Sequence, residues 1–174
     1  MAIVRTRRRI AAPRLEAAAH ELLGASTLCA IATVSARGQA YVNTAYFAWT
    51  RELNLVWLSH SAATHSMNLQ KRATTAIAIY DSSQTWGRPD RGIQLFGTAR
   101  TAAGRTARAA ERIYGGRFPD YAGVDLSAYG FYLFRPRRLK LFDERAFGSG
   151  VFVSARADRG EISWESTDVY DGGS

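Results

Sequence analysis

Short runs of apolar and β-branched residues, most of them alternating with polar or small residues, recur along this chain. The pattern predicts β-strands, because side chains alternate between the two faces of a strand. The predicted strands cover residues 27–34, 39–49, 53–58, 74–80, 93–101, 130–134 and 139–142, with a final hairpin over residues 151–164. The first three strands are joined by short turns, so they predict an antiparallel meander.

Three other segments have the spacing or composition of helices. Pro13 can begin a helix whose apolar positions recur at helical spacing up to residue 23. A short helix is predicted to begin within the polar segment 59–66 and to continue to Gln70. A third helix is predicted over residues 104–114, where Ala, Arg and Glu dominate and where Gly115-Gly116 follows as a stop.

Glycine and proline refine the strand predictions. Gly97 lies inside a strand pattern and is predicted to mark a bulge or a barrel bend. Arg135-Pro136 is predicted to separate the strands on either side of it. Many short strands with a few helices favour a β-barrel with flanking helices, mainly an antiparallel split barrel with α+β decoration, because closing the sheet leaves few bare edges.

Length and composition set the domain organisation. A chain of 174 residues suits one domain, which we assign to residues 13–174, preceded by a basic N-terminal arm over residues 1–12. The sequence has neither a long apolar run nor an apolar stretch behind its first arginines, so we expect neither a membrane span nor a secretory signal, and a cytoplasmic protein. The single Cys29 lies in an apolar run and is predicted to be a buried free thiol.

The net charge of +8 raises the question of nucleic acid binding. Only two of the 23 cations are lysines, Lys71 and Lys140, and this heavy use of Arg is typical of a GC-rich bacterial genome. The compact basic cluster, Arg5 with residues 7–9, has no recognition motif beside it. We therefore do not expect nucleic acid to be the partner.

Three segments in order carry a resemblance to a known family. They are Leu28-Cys-Ala-Ile-Ala-Thr-Val with Gly38 and Tyr41-Val-Asn-Thr-Ala-Tyr-Phe-Ala-Trp49, then Leu55-Val-Trp-Leu-Ser-His-Ser-Ala-Ala-Thr-His-Ser-Met-Asn-Leu69, and then Gly92-Ile-Gln-Leu-Phe-Gly97. Together they resemble the pyridoxamine 5'-phosphate oxidase-like, FMN-binding split β-barrels over roughly residues 20 to 143. The resemblance implies a homodimer with FMN in the crevice between subunits, acting as an oxidoreductase on a small molecule.

By that resemblance, Asn43, Thr44 and Ala45 would supply backbone hydrogen bonds to the flavin ring. Gln94 and Trp86 are further candidates beside the ring. The phosphate would meet hydrogen-bonding side chains between Leu58 and Leu69. These side chains are Ser59, His60, Thr64, His65 and Asn68.

The sequence departs from the family at two of these positions. Thr64 and His65 stand where the family usually has Arg and Lys, so charge for a phosphate would have to come from Arg72, Arg88, Arg91 or the second subunit. Haem with His65 or His60 as axial ligand, a deazaflavin, and a barrel without a redox cofactor are therefore alternatives. A flavin-binding protein without catalytic turnover is another, since the sequence marks no catalytic residue.

The spacing of the reactive side chains argues against a hydrolase and against a metal site. Ser59, His60 and Ser61 are adjacent, but the sequence lacks a nucleophile-elbow motif for a hydrolase. The three histidines have no carboxylate or cysteine at ligand spacing, so apart from an axial haem ligand no metal site is predicted.

Overall fold

The computed structural model describes residues 2–123 and 126–171. Its nine strands are β1 Ala2–Thr6, β2 Leu28–Val34, β3 Ala40–Trp49, β4 Leu55–His60, β5 Thr74–Tyr80, β6 Arg91–Thr101, β7 Tyr129–Asp143, β8 Val151–Asp158 and β9 Glu161–Asp171. Its four α-helices are α1 Ala12–Ala25, α2 Thr64–Lys71, α3 Gly104–Arg117 and α4 Glu144–Phe147, and a 3-10 turn covers Pro119–Gly123. The predicted fold class, a split barrel with flanking helices, is confirmed.

Six antiparallel strands close into the barrel, in the order β7, β4, β3, β2, β5 and β6 and back to β7. The long strand β7 makes closure possible. On one edge it pairs with β4 over residues 129–134 and with β8 over residues 138–142, and on the other edge it pairs with β6 over residues 132–143. Beyond β7 the sheet continues through β8 and β9 to β1. Closure leaves most strand edges paired.

The barrel interior forms the main core. Apolar side chains on alternate positions of the strands point inward, as the period-two pattern predicts. Trp57 and Tyr132 stack there with ring centroids 5.5 Å apart. The helix α1 buries Leu15 and Leu23 completely against this core, and each such leucine contributes about 1.5 to 3 kcal/mol.

A second, smaller cluster lies outside the barrel beneath α3. Ala110 and Tyr114 of the helix pack on Val56 of β4 and on neighbouring apolar residues. Arg117, in the last turn of α3, donates hydrogen bonds to the carbonyl oxygens of Phe47 and Ser26, both at 2.7 Å. The helix is thus tied to β3 at the position where β3 begins to pair with β4.

The prediction that Gly115-Gly116 ends the third helix is wrong, since α3 continues through both glycines to Arg117. Gly115 instead allows the Tyr121 ring to approach closely, at 3.0 Å from the position of a Cβ. The hydrogen bonds of Arg117 then hold the last turn in place. Tertiary contacts have here overridden the weak helix propensity of glycine.

The predicted break at Arg135-Pro136 is also wrong, because β7 runs through it without interruption. Pro136 pairs with Gly97, where the register between β6 and β7 shifts, so the predicted bulge at Gly97 is confirmed. A proline lacks the N–H that a regular ladder needs, and a bulge is one place in a sheet where that loss is tolerated.

The segment predicted as a basic arm contributes to the sheet. Strand β1 pairs with β9, and Arg5 forms an ion pair with Asp168 at 2.9 Å. Arg8 donates to the carbonyl oxygen of Phe147, and Arg9 lies over the Trp164 ring. Three of the four arginines in this basic cluster are therefore engaged within the chain itself.

Replacing Gly97 with alanine is expected to destabilise the protein by about 1 to 3 kcal/mol, because the new Cβ would overlap the carbonyl oxygen of Arg135. Urea denaturation followed by circular dichroism would measure the loss. Gly116→Ala is the matched control. Gly116 is helical with open space around its Cβ position, so this change should raise stability by up to about 1 kcal/mol. Equal stability of Gly97→Ala and wild type would contradict the bulge geometry.

Candidate functional site

The site begins at the gap between β3 and β4. These two strands pair only over residues 47–49, whereas β3 pairs with β2 over residues 40–46. Within the residues that the structure describes, the other edge of β3 from residue 40 to 46 therefore faces no strand. Peptide groups on a free edge are available for a ligand. Asn43, Thr44 and Ala45 lie on this edge, and the Asn43 side-chain amide donates to the Thr44 carbonyl oxygen at 2.9 Å.

An alanine floor lies beside this edge on the outer face of the barrel, formed by the outward residues of β2 and β5. Its members are Ala30, Ala32, Ala76 and Ala78. They line a shallow cavity of about 330 Å³ together with Val42, Ile77, Gln94 and Phe96. Methyl groups leave the sheet nearly flat here, so a planar aromatic ring can approach the strands closely.

The polar groups beside the floor come from two strands. Thr44 is exposed on β3, opposite Ala30 in register. Gln94 is exposed on β6, opposite Ala78 on one side and Lys140 on the other. Lys140 is the residue of β7 opposite Gln94, but its ammonium group lies on the β8 side of β7, 4.8 Å from the Phe152 ring centroid. A flat apolar surface rimmed by a hydroxyl group and an amide suits a polar aromatic ring.

The first turn of α2 follows directly from β4. Ala63 is the residue that precedes the helix, and no side chain caps the free N–H groups there. Thr64 is the exposed first residue, and exposed His60 accepts a hydrogen bond from the Ala62 N–H on its Nδ1. A helix N-terminus with free N–H groups attracts anions. His60 and Thr64 are the predicted phosphate residues that lie exposed beside this turn.

The other three predicted phosphate residues are buried. Ser59 lies inside the barrel end, and Asn68 donates to the Thr33 hydroxyl at 3.1 Å, which ties α2 to β2. His65 is 5% exposed, and its Nε2 is buried without a hydrogen-bond partner. Its ring lies 6.4 Å from the ring of Tyr132. These three side chains support the position of α2 from inside.

Burial lowers the pKa of the His65 imidazole below its ordinary value. The folded protein therefore keeps His65 neutral to a lower pH than the unfolded chain does, and the unfolded chain gains a proton below about pH 6.5. The stability linked to His65 is therefore full above that pH and falls as the pH drops toward the lower pKa of the folded state. In urea titrations at several pH values, His65→Gln should lose stability on acidification less steeply than wild type. His60→Gln, a change at an exposed histidine, should behave like wild type, and equal slopes for all three proteins would contradict this account.

The three arginines that could supply positive charge for a phosphate differ in their partners and in their position relative to α2. Arg91 is committed to buried Asp143 at 2.8 Å and to Glu21 at 2.6 Å, so it is not free to offset the missing Arg and Lys. Arg72 follows the end of α2, opposite its first turn, and donates to the Ala36 carbonyl oxygen. Arg88 is exposed in the loop between β5 and β6.

Trp86, Trp164 and Cys29 differ in their surroundings. Trp86 is 98% exposed in the loop between β5 and β6, so none of the described residues covers it. Trp164 donates from Nε1 to the Thr167 hydroxyl at 2.9 Å and packs on the core. Cys29 is a buried free thiol as predicted, and burial raises its pKa to about 12.

Among residues 2–123 and 126–171, no three His, Cys, Asp or Glu side chains cluster in a way that would hold a metal ion. In the same part of the chain, no helix is both long and apolar enough to cross a membrane.

A closed six-stranded barrel with a gap between two of its strands defines the split-barrel class of proteins. The family model for pyridoxamine 5'-phosphate oxidase matches residues 15–143 of this chain. The match covers most of the sequence, and the chain belongs to that family.

Solved structures show the same fold at low sequence identity. The heme storage protein HutZ from Vibrio cholerae superposes with a TM-score of 0.60 and 21% identity, covering 71% of this chain and 90% of that chain. A pyridoxamine 5'-phosphate oxidase-related, FMN-binding protein from Nostoc punctiforme gives a TM-score of 0.63 and 12% identity, covering 90% and 97%. A protein of unknown function from Agrobacterium tumefaciens gives 0.66 and 16%, and the match spans 73% of this chain but only 55% of that one. No sequence among the curated proteins is significantly similar to this chain.

Proposed function

We propose that this protein is an FMN-dependent oxidoreductase of the pyridoxamine phosphate oxidase-like class that acts on a small molecule, with its flavin in the crevice of a homodimer. The observation that carries the proposal is the alanine floor beside the free edge of β3. The FMN-binding relative from Nostoc punctiforme, which shares the fold, supports the same assignment.

The surface around the floor supports the proposed homodimer. Five large apolar side chains are exposed on this outer face, namely Leu28, Val42, Tyr46, Tyr80 and Phe96. A contiguous apolar surface of this kind is typical of an interface. A second copy of the chain would cover it and would close the crevice over a ring lying on the floor.

The residues of this chain would position the flavin ring. Backbone N–H and C=O groups of Asn43, Thr44 and Ala45 would hydrogen-bond to its polar edge, and the Gln94 amide would contact it from β6. A bound flavin supplies the capacity to accept and return a hydride. With no catalytic residue assigned, the role of the protein is to orient the ring and to exclude water.

The phosphate would be held without a local cation. The Thr64 hydroxyl, the His60 ring and the free N–H groups of the first turn of α2 are the available donors. Neutral donors together with a helix N-terminus can bind a phosphate. Charge would have to be added by Arg88 or by an arginine of the partner subunit.

Absorption spectroscopy tests the proposal. Purified protein is incubated with FMN, a deazaflavin or haemin in separate samples, desalted, and scanned. Retention of the FMN bands, and their bleaching by a reduced nicotinamide donor, would support an FMN-dependent oxidoreductase. Retention without bleaching by any donor would indicate a flavin-binding protein without turnover.

The same experiment distinguishes haem. A Soret band retained instead of flavin would reject the proposal and would favour a haem protein like its structural relative from Vibrio cholerae. The buried Nε2 of His65 does not face the surface, so loss of the Soret band should then follow His60→Ala rather than His65→Ala. Retention of the deazaflavin alone would also reject FMN.

A further inference from the structure

A second concave surface, the arginine groove, shares no residue with the alanine floor. It has two adjoining lobes, a cavity of about 330 Å³ and another of about 580 Å³. Thr98, Arg100 and Arg135 line both lobes, so the lobes are continuous. The smaller lobe reaches the start of α3, and the larger lobe reaches the turn between β8 and β9.

The groove is rich in free positive charge. Arg100 and Arg135 stand on the adjacent strands β6 and β7, and Arg137 and Arg159 line the larger lobe. In the part of the chain that the structure describes, none of these four guanidinium groups forms an ion pair or a hydrogen bond. Other arginines of this protein do find carboxylates, as Arg138 does with Glu165 at 2.7 Å.

The carboxylates in the groove lie in the larger lobe only. They are Glu52 and Asp158, so four arginines face two acids. Glu52 packs under Gly160, where an added Cβ would lie 2.8 Å from its Cγ. The smaller lobe has no carboxylate among its lining residues. The excess positive charge is therefore greatest around Arg100 and Arg135.

Uncharged donors surround the smaller lobe. The hydroxyl groups of Thr98, Thr101 and Thr106 line it, together with the backbone at the start of α3. No side chain caps this helix at Ala103, and its first turn contains no acidic residue. The free N–H groups and the helix dipole at this end both favour an anion.

We propose that the arginine groove binds the phosphate groups of a small phosphorylated molecule, at a site separate from the flavin crevice. Guanidinium groups match phosphate oxygens in pairs, and two on neighbouring strands can hold one phosphate from two sides. The second lobe, with Arg137 and Arg159, holds a second anionic group of the same molecule. The acids Glu52 and Asp158 disfavour a continuous nucleic acid backbone along the groove.

Inorganic pyrophosphate is the probe, and isothermal titration calorimetry with the full chain at low ionic strength is the measurement. We expect saturable binding that weakens as salt is added. The double variant Arg100→Gln/Arg135→Gln should bind pyrophosphate at least about tenfold more weakly, since it removes two charge-assisted contacts. The matched control Arg108→Gln/Arg112→Gln removes the same charge from the exposed face of α3 and should stay within about twofold of wild type.

A further variant covers the case in which the first one does not fold. Arg159→Asn with Arg137→Gln changes exposed positions of the larger lobe, and asparagine tolerates the positive φ of 49° at residue 159. This variant should also weaken pyrophosphate binding severalfold.

Three results would overturn the proposal. They are the absence of saturable pyrophosphate binding to the wild-type protein, equal weakening in the α3 control, and tighter binding of a single-stranded oligonucleotide that depends on Arg100 and Arg135. None of these results depends on whether the protein retains FMN, so the groove and the flavin crevice can fail separately.

Discussion

Replacing Ala32 with phenylalanine is expected to weaken FMN binding by at least about 100-fold, which corresponds to about 2.7 kcal/mol. Ala32 is one of the four alanines of the floor, in register with Val42 on one side and Ala76 on the other. A benzyl group there would occupy the space that the flavin ring needs. The side chain points outward, so the free energy of unfolding should change by no more than about 0.5 kcal/mol.

Quenching of FMN fluorescence during a protein titration would measure this effect. Ala17→Leu is the control, because Ala17 is an exposed alanine on α1, outside the floor. It should bind FMN as tightly as wild type does. If Ala32→Phe bound FMN with unchanged affinity while remaining folded, the flavin would lie elsewhere.

Arg117→Ala is expected to cost about 3 to 4 kcal/mol of stability, because it removes two hydrogen bonds from a charged donor and the stacking of that donor on aromatic rings. The guanidinium carbon lies 4.4 Å from the Trp49 ring centroid and 4.8 Å from that of Phe47. Burial also lowers the pKa of Arg117, and no carboxylate among the described residues forms an ion pair with it. Its partners are instead the two carbonyl oxygens and the faces of the rings.

Urea denaturation would compare Arg117→Ala and Arg117→Lys with the exposed control Arg108→Ala. Lysine should recover less than half of the loss, because one ammonium group cannot bridge two carbonyls and stack at the same time. The control should remain within about 0.5 kcal/mol of wild type. Full recovery by lysine would show that charge alone, rather than the planar geometry of arginine, holds α3 against β3.

The sequence predicted most of the barrel strands because their side chains obey period two and turn residues separate them. The predicted third helix was too short. Contacts of Gly115 with Tyr121 and of Arg117 with β3 stabilise the last turn of α3, and the local sequence does not show these contacts. The sequence prediction also missed strand β1, whose pairing with the distant β9 leaves little local signal. Long-range partners, rather than propensity, determined these elements.

The candidate site was predictable in part. Thr44 and Gln94 were proposed from a family resemblance, and the structure places both on the outer face beside the alanine floor. The floor itself is visible in the sequence only as alternate alanines, which have no evident role until β2 and β5 are paired. Ser59, His65 and Asn68 were predicted as phosphate contacts because they are polar. The local sequence pattern did not show that all three side chains are buried.

In the proposed homodimer, one flavin lies on the alanine floor of each chain. Sedimentation equilibrium of the FMN-loaded protein, recorded in both the protein and the visible flavin absorption bands, tests it most directly. The account predicts that both signals describe one species with twice the chain mass of 19.2 kDa and one flavin per chain. A flavin signal that sediments with a single chain, or that remains free of protein, would contradict it.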